Sequence, residues 1–168
     1  MRKALLLAAA MLMVFSGVAS AARSAPAMVV GHYSYDFSAI SGIPGDTRTV
    51  TLLAEDSSSP HGLFFRAVNG PNAGAYTFGR VKCLEVDGAD AWVSGPVTRT
   101  QDGVQDGSIW VVFRIHDGKL PHGGGDRVMT FGETPADGLA NCLNKVHTQY
   151  DPYLVPLIGG NVTVAAGH

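Results

Sequence analysis

The sequence predicts an all-β domain: an antiparallel meander of about eight strands that closes, or nearly closes, into a barrel, with a β-sandwich as the alternative. Three observations carry this expectation. Turn signals punctuate the chain at Asp87-Gly88, Asp102-Gly103, Asp106-Gly107, Asp117-Gly118 and Asp137-Gly138, with further breaks at Asn69-Gly70 and Gly45-Asp46. Glycine accepts the positive φ that tight hairpins need, and Asp or Asn tolerates it better than other side chains do. The segments between these breaks are short and rich in Val, Ile, Thr, Phe, Tyr and Trp, the residues that fit a pleated, half-buried surface. The breaks recur about every ten residues, a spacing that belongs to sandwiches and barrels rather than to alternating strands and helices.

In chain order, strands are expected over 28–37, 48–55, 62–68, 75–86, 91–98, 108–116, 127–131 and 161–165. The segment 108–116 alternates most cleanly. Ile109, Val111, Phe113 and Ile115 fall on one face, and Trp110, Val112, Arg114 and His116 on the other, because successive side chains of a strand point to opposite sides. Gly79 marks a bend or bulge that lets the long fourth segment curl. Pairing of the last strand near Val162 with the first near Val30 would close the meander and remove its exposed edges. One short helix or irregular segment is expected at 135–147. Pro135 suits a first helical turn, and Leu139, Leu143 and Val146 share a face, while Gly138 and two Asn residues weaken the helix.

The N-terminus has the three parts of a signal peptide in order. Met1-Arg2-Lys3 is a positive start, residues 4–18 are an uncharged apolar run, and Ala19-Ser20-Ala21 is a small-x-small cleavage site. The run is shorter than the roughly 20 residues that cross a bilayer, so cleavage is expected and an uncleaved anchor is the alternative. Domain organisation is then 1–21 signal peptide and 22–168 a single β-domain. No membrane segment remains after cleavage, and the protein is expected to be secreted, either extracellular or attached to the cell envelope. Losing Arg2 and Lys3 lowers the basic count from 12 to 10 against 14 acidic residues, a formal charge of −4. That balance argues against nucleic acid as a partner.

Several stretches together resemble a known family. These are Val81-Lys82-Cys83-Leu84-Glu85-Val86-Asp87-Gly88, Ala91-Trp92-Val93-Ser94-Gly95, Phe113-Arg114-Ile115-His116-Asp117-Gly118, Asp126-Arg127 and Gly159-Gly160-Asn161-Val162. In this order and spacing the chain resembles the small secreted β-domain of actinobacteria and related bacteria that includes the post-COAP domain of surface proteins. The likeness covers most of 28–166. It implies the β fold and export, and it carries over no catalytic residue.

Cys83 and Cys142 are the two cysteines. An even count in an oxidising compartment, with no neighbouring ligand at metal spacing, reads as one disulfide, and two separate buried thiols are the alternative. Catalytic motifs are absent. There is no Gly-x-Ser-x-Gly elbow, no His-Glu-x-x-His, no phosphate loop and no dinucleotide fingerprint, so no catalytic residue, metal or cofactor is assigned.

Two constellations remain. His116, Asp117, His122 and Asp126 surround one Gly-rich loop, where they either serve the turn or form a polar site. Trp92 and Trp110, with Phe64, Tyr76, Phe65 and Phe78, either pack a core or line a barrel interior that admits a small apolar ligand. The functional expectation is a non-catalytic structural or binding module of the envelope or extracellular space, whose partner is a small apolar molecule or an envelope component. A hydrolase or isomerase using the loop at 116–126 is the alternative. Intact-mass measurement of secreted protein should find the mature chain starting within a residue or two of Ala22, and a mature form that keeps Met1 would refute the cleavage expectation.

Overall fold

The computed structural model describes residues 25–57, 59–119 and 125–167. The expected cleavage site at 19–21 and His122 lie outside these residues. Ten strands are present among them: β1 (Ala27–Asp36), β2 (Thr47–Asp56), β3 (Pro60–Asn69), β4 (Tyr76–Arg80), β5 (Cys83–Asp87), β6 (Asp90–Thr100), β7 (Gly103–Val104), β8 (Trp110–His116), β9 (Arg127–Glu133) and β10 (Val155–Ala165). A single helical turn, α1 (Ser38–Ser41), links β1 to β2, and α2 (Pro135–Leu143) follows β9. Every pairing is antiparallel.

The pairings close a ring of eight strands. From β1 the order runs β2, β3, β4, β6, β8, β9, β10 and back to β1, while β5 and β7 lie beside β6. Closure comes from the terminal strands as the sequence predicts. Gly31 faces Val162 and Val30 faces Thr163 across the β1–β10 ladder. Two long strands change partner part-way along. β6 pairs with β8 over Asp90 to Pro96 and with β4 beyond it. β10 touches β9 only at Val155 and Pro156 before crossing to β1.

The expected fourth strand is two strands. It breaks at Val81 and Lys82, where the chain leaves the β3 edge for the near end of β6, Val81 N–H donating to Gly62 and Lys82 N–H to Ser94. Crowding imposes the break. A Cβ on Gly79 would lie 2.2 Å from Phe64 Cζ, and one on Gly95 would lie 1.8 Å from the carbonyl oxygen of Arg80. Two glycines thus let β4 and β6 cross at a distance no other residue allows.

Alternation places the core. Val29, Tyr33, Tyr35, Val50, Leu52, Phe64, Val93, Val111, Phe113 and Ile115 are buried together inside the ring, and the rings of Phe64 and Phe113 meet edge to face at 5.1 Å. A second cluster forms on the outer side of β5, β6 and β8 from Cys83, Trp92, Val112, Cys142 and Tyr150. The covering layer is α2 and the chain that follows it. Helix α2 opens on Thr134, whose hydroxyl accepts the Asp137 N–H, with Pro135 at its start. Asp137-Gly138 is therefore helix and not a turn. A Cβ at Gly138 would crowd Trp110 Cβ at 3.0 Å, so a larger residue there requires the tryptophan to give by a few tenths of an ångström.

Cys83 and Cys142 form a disulfide that joins β5 to α2 across 59 residues of sequence. A loop of that length corresponds to roughly 4 kcal/mol on the chain-entropy account. Cys142→Ala should therefore lower unfolding free energy by about this amount in denaturant titration. Amide exchange should rise first over 135–147, since α2 is held to the strands through that bond and one small cluster. Unchanged exchange in α2 would contradict this.

Candidate functional site

The loop carboxylates serve the backbone. Asp126 is buried, and its carboxylate accepts the N–H of Gly118 at 3.0 Å and of Val162 at 3.2 Å. Asp117 accepts Lys119 N–H at 2.8 Å and Val164 N–H at 2.9 Å, and Lys119 Nζ donates to the Val164 carbonyl at 2.8 Å. These are the donors that β10 turns away from β1, on the side where β9 has already parted from it. Burial pushes the Asp117 carboxyl up, but the backbone N–H groups of Val164 and Lys119 outweigh it and hold the group below the ordinary carboxylate range.

His116 belongs to another cluster. The register of β6 and β8 sets Asp90 opposite His116 and Trp92 opposite Arg114, all on the outer face. Arg114 is 2% exposed. Its guanidinium meets Asp90 Oδ1 and Asp151 Oδ1 at 2.7 Å each, donates to the Ile115 carbonyl at 2.6 Å, and lies 4.3 Å from the centre of the Trp92 ring. Asp151 stands one helical turn after His147, and His147 Nδ1 is 2.8 Å from Asp151 Oδ2. Burial raises the Asp151 carboxyl, and the hydrogen bonds from Arg114 and His147 overcome it and hold the group low. His116 Nδ1 is 3.0 Å from Asp90 Oδ1. A cleft of about 350 Å³ opens over these groups, with Gly125, Arg127 and Leu154 in its wall.

The four aromatics expected to line an interior are not brought together. Phe64 faces inward, where Phe113 fills the space beside it. Trp92 is fully buried on the outer side, its Nε1 donating to the Val146 carbonyl at 3.0 Å and its ring edge-on to His147 at 4.8 Å. Trp110 lies under Gly138 of α2. Tyr76 stacks on Phe65 on the outer face of β3 and β4, with ring centres 5.8 Å apart. There a second depression of about 630 Å³ is lined by Phe65, Tyr76, Phe78, Thr98, Arg99 and Val104. Register explains this groove: Phe65 faces Phe78, Phe78 faces Arg99, and Arg99 faces Val104 across four strands.

Asp90, Arg114, His147 and Asp151 were not singled out from the sequence. Arg114 sits mid-strand among apolar residues, and His147 and Asp151 have the i, i+4 spacing of a pair. Those were the available signals. Among the described residues no group of three or more His, Cys, Asp or Glu is arranged to hold a metal ion. No family model, curated protein or solved structure matches the chain.

Because the Asp117 carboxyl is depressed in the folded protein, its contribution is present above the ordinary carboxylate range and is lost as pH falls through the folded value. Asp117→Asn should cost about 1–3 kcal/mol at pH 7 by urea titration. The gap between variant and wild type should narrow as pH falls below the ordinary carboxylate range toward the depressed value of the folded group. A gap that does not change with pH would contradict the assignment.

Proposed function

We propose that the protein is an exported, non-catalytic binding module that takes its ligand on the outer aromatic groove of β3, β4, β6 and β7. The signal-peptide pattern of residues 1–21, the resemblance to secreted β-domains and the Cys83–Cys142 disulfide support export. The groove carries the binding reading. It offers a stacked aromatic pair, Phe78 and the exposed Val104 as apolar wall, and the exposed Arg99 beside them. Arg99 makes no ion pair among the described residues. Exposed contiguous apolar surface next to a single unpaired cation suits an elongated apolar molecule with an anionic end, such as a fatty-acyl or aromatic carboxylate. Phe64 and its neighbours are buried against one another inside the ring, which supports placing the ligand on the outside.

Titration with decanoate, followed by nuclear magnetic resonance, tests this. Shifts should saturate and should concentrate on Phe65, Tyr76, Phe78 and Val104. Tyr76→Ala should remove stacking area and Arg99→Gln the charge, and each should weaken binding by about tenfold, the equivalent of roughly 1.4 kcal/mol. Both positions lie at the surface, so the fold should persist. Shifts centred on Phe64 and Phe113, or affinity indifferent to both variants, would refute the groove.

A further inference from the structure

The cleft over Arg114 holds two histidines on one plan, and the proposed binding groove uses neither. His116 and His147 each present Nδ1 to a carboxylate, Asp90 in one case and Asp151 in the other. An ionised carboxylate only accepts, so Nδ1 carries the proton in both rings and Nε2 is left as the nitrogen free to meet a ligand. Both side chains are open to water, 41% and 52% exposed, and both line the same cleft. Arg127 joins them from β9. One of its nitrogens donates to the Leu154 carbonyl at 2.7 Å, and the side chain is exposed.

Charge decides what such a cleft accepts. Its facing groups are Asp90 from β6, Arg114 and His116 from β8, Arg127 from β9, and His147 and Asp151 from the segment after α2. Beside it, Lys145 stands within 4.0 Å of Glu85 and 3.9 Å of Asp87 on β5. With both imidazoles neutral, Arg114 and Arg127 balance Asp90 and Asp151. With both protonated, the cleft carries two positive charges in excess. Arg114 is enclosed, and its partners are Asp90, Asp151 and the Ile115 carbonyl, with His147 Nδ1 farther off at 3.5 Å and on the shorter 2.8 Å bond to Asp151, so it acts as a positioning residue for the two carboxylates that orient the rings. The donors left for a ligand are two imidazolium Nε2–H groups and the Arg127 guanidinium, reaching in from three separate elements. Three separate prongs suit a tetrahedral oxyanion better than a flat carboxylate, which a single guanidinium fork satisfies.

We propose that this cleft is an acid-strengthened site for a tetrahedral oxyanion of the sulfate and phosphate class, held by His116, His147 and Arg127. Histidine is the ordinary side chain that gains its charge between pH 8 and pH 5, so the site fills as the surroundings acidify. Inorganic sulfate is the probe, because its own charge does not change over that range. Calorimetric titration of the full mature protein should show sulfate binding about tenfold or more tightly at pH 5.5 than at pH 8. In the same samples, sulfate should shift the carbon-bound ring protons of His116 and His147. The double variant His116→Gln/His147→Gln should bind weakly at both pH values, and Arg127→Gln should weaken binding at both alike. Methyl sulfate run in parallel separates the sources: affinity equal to that of sulfate assigns an esterified group on a larger molecule, and rejection assigns the free ion. Equal sulfate affinity at the two pH values, unmoved histidine resonances, or acid-strengthened binding that survives in the double variant would each overturn the proposal.

Discussion

The ring of strands depends on how it is closed where its backbone ladder is thinnest. β9 and β10 share two residue pairs and then separate, because β10 turns to follow β1. Beyond that point the Val162 and Val164 amides face into the protein with no strand among the described residues to receive them. Asp126 and Asp117 receive them instead, each carboxylate also accepting one N–H from the loop that begins at Asp117. A buried N–H without an acceptor costs about as much as a lost hydrogen bond plus its desolvation. Two loop side chains thus do for β10 what a neighbouring strand does elsewhere, and β1, paired along the other side of β10, is kept in the ring.

Closure of this kind packs a cluster of buried side chains inside the ring and leaves the outward-facing residues to shape the surface. Large side chains from both sides of the ring meet at its centre, as Phe64 and Phe113 do, while the residues between them in sequence point out. On β3 and β4 those outward residues are Phe65, Tyr76 and Phe78, and with no layer of the described residues over them they form the apolar groove. On β6 and β8 they are Asp90, Trp92, Arg114 and His116, and the segment after α2 covers them in part. Burying an arginine on that face requires partners, and Asp90 and Asp151 supply them from two other elements. The polar cleft is thus the edge of the second core, where the covering layer ends.

Much of the architecture was legible in the sequence because it rests on short-range physics. Period-two alternation identified both faces of β8, and the pairing of the first and last strands follows from the advantage of leaving no free edge. Local spacing also pointed to a helix after Pro135, although Asp137-Gly138 read as a turn. That pair sits inside α2, where Trp110 crowds the Gly138 position, a contact between residues 28 apart in sequence. The site was less legible for the same reason. His116, Asp117 and Asp126 are neighbours in the chain and looked like one constellation, yet the pleat sends His116 outward while the two aspartates turn to β10. The histidine's partner, Asp90, comes from strand register, and Asp151, which meets Arg114, comes from a segment more than thirty residues away. Trp92 and Trp110 show the limit of composition. Their bulk marks a core, but strand parity sends Trp92 into the outer cluster and leaves Trp110 half-buried under Gly138, outside both cores, and parity depends on where each strand begins.

The dependence of the ring on its two loop carboxylates is open to direct measurement through native-state hydrogen exchange at the Val162 and Val164 amides. If Asp126 and Asp117 close the ring, both amides should be protected to the same degree as those in the centre of the β1–β2 ladder, and should open only with global unfolding. Exchange at the rate of a solvent-exposed strand edge, with the remainder of β10 still protected, would show that the ring is held without them.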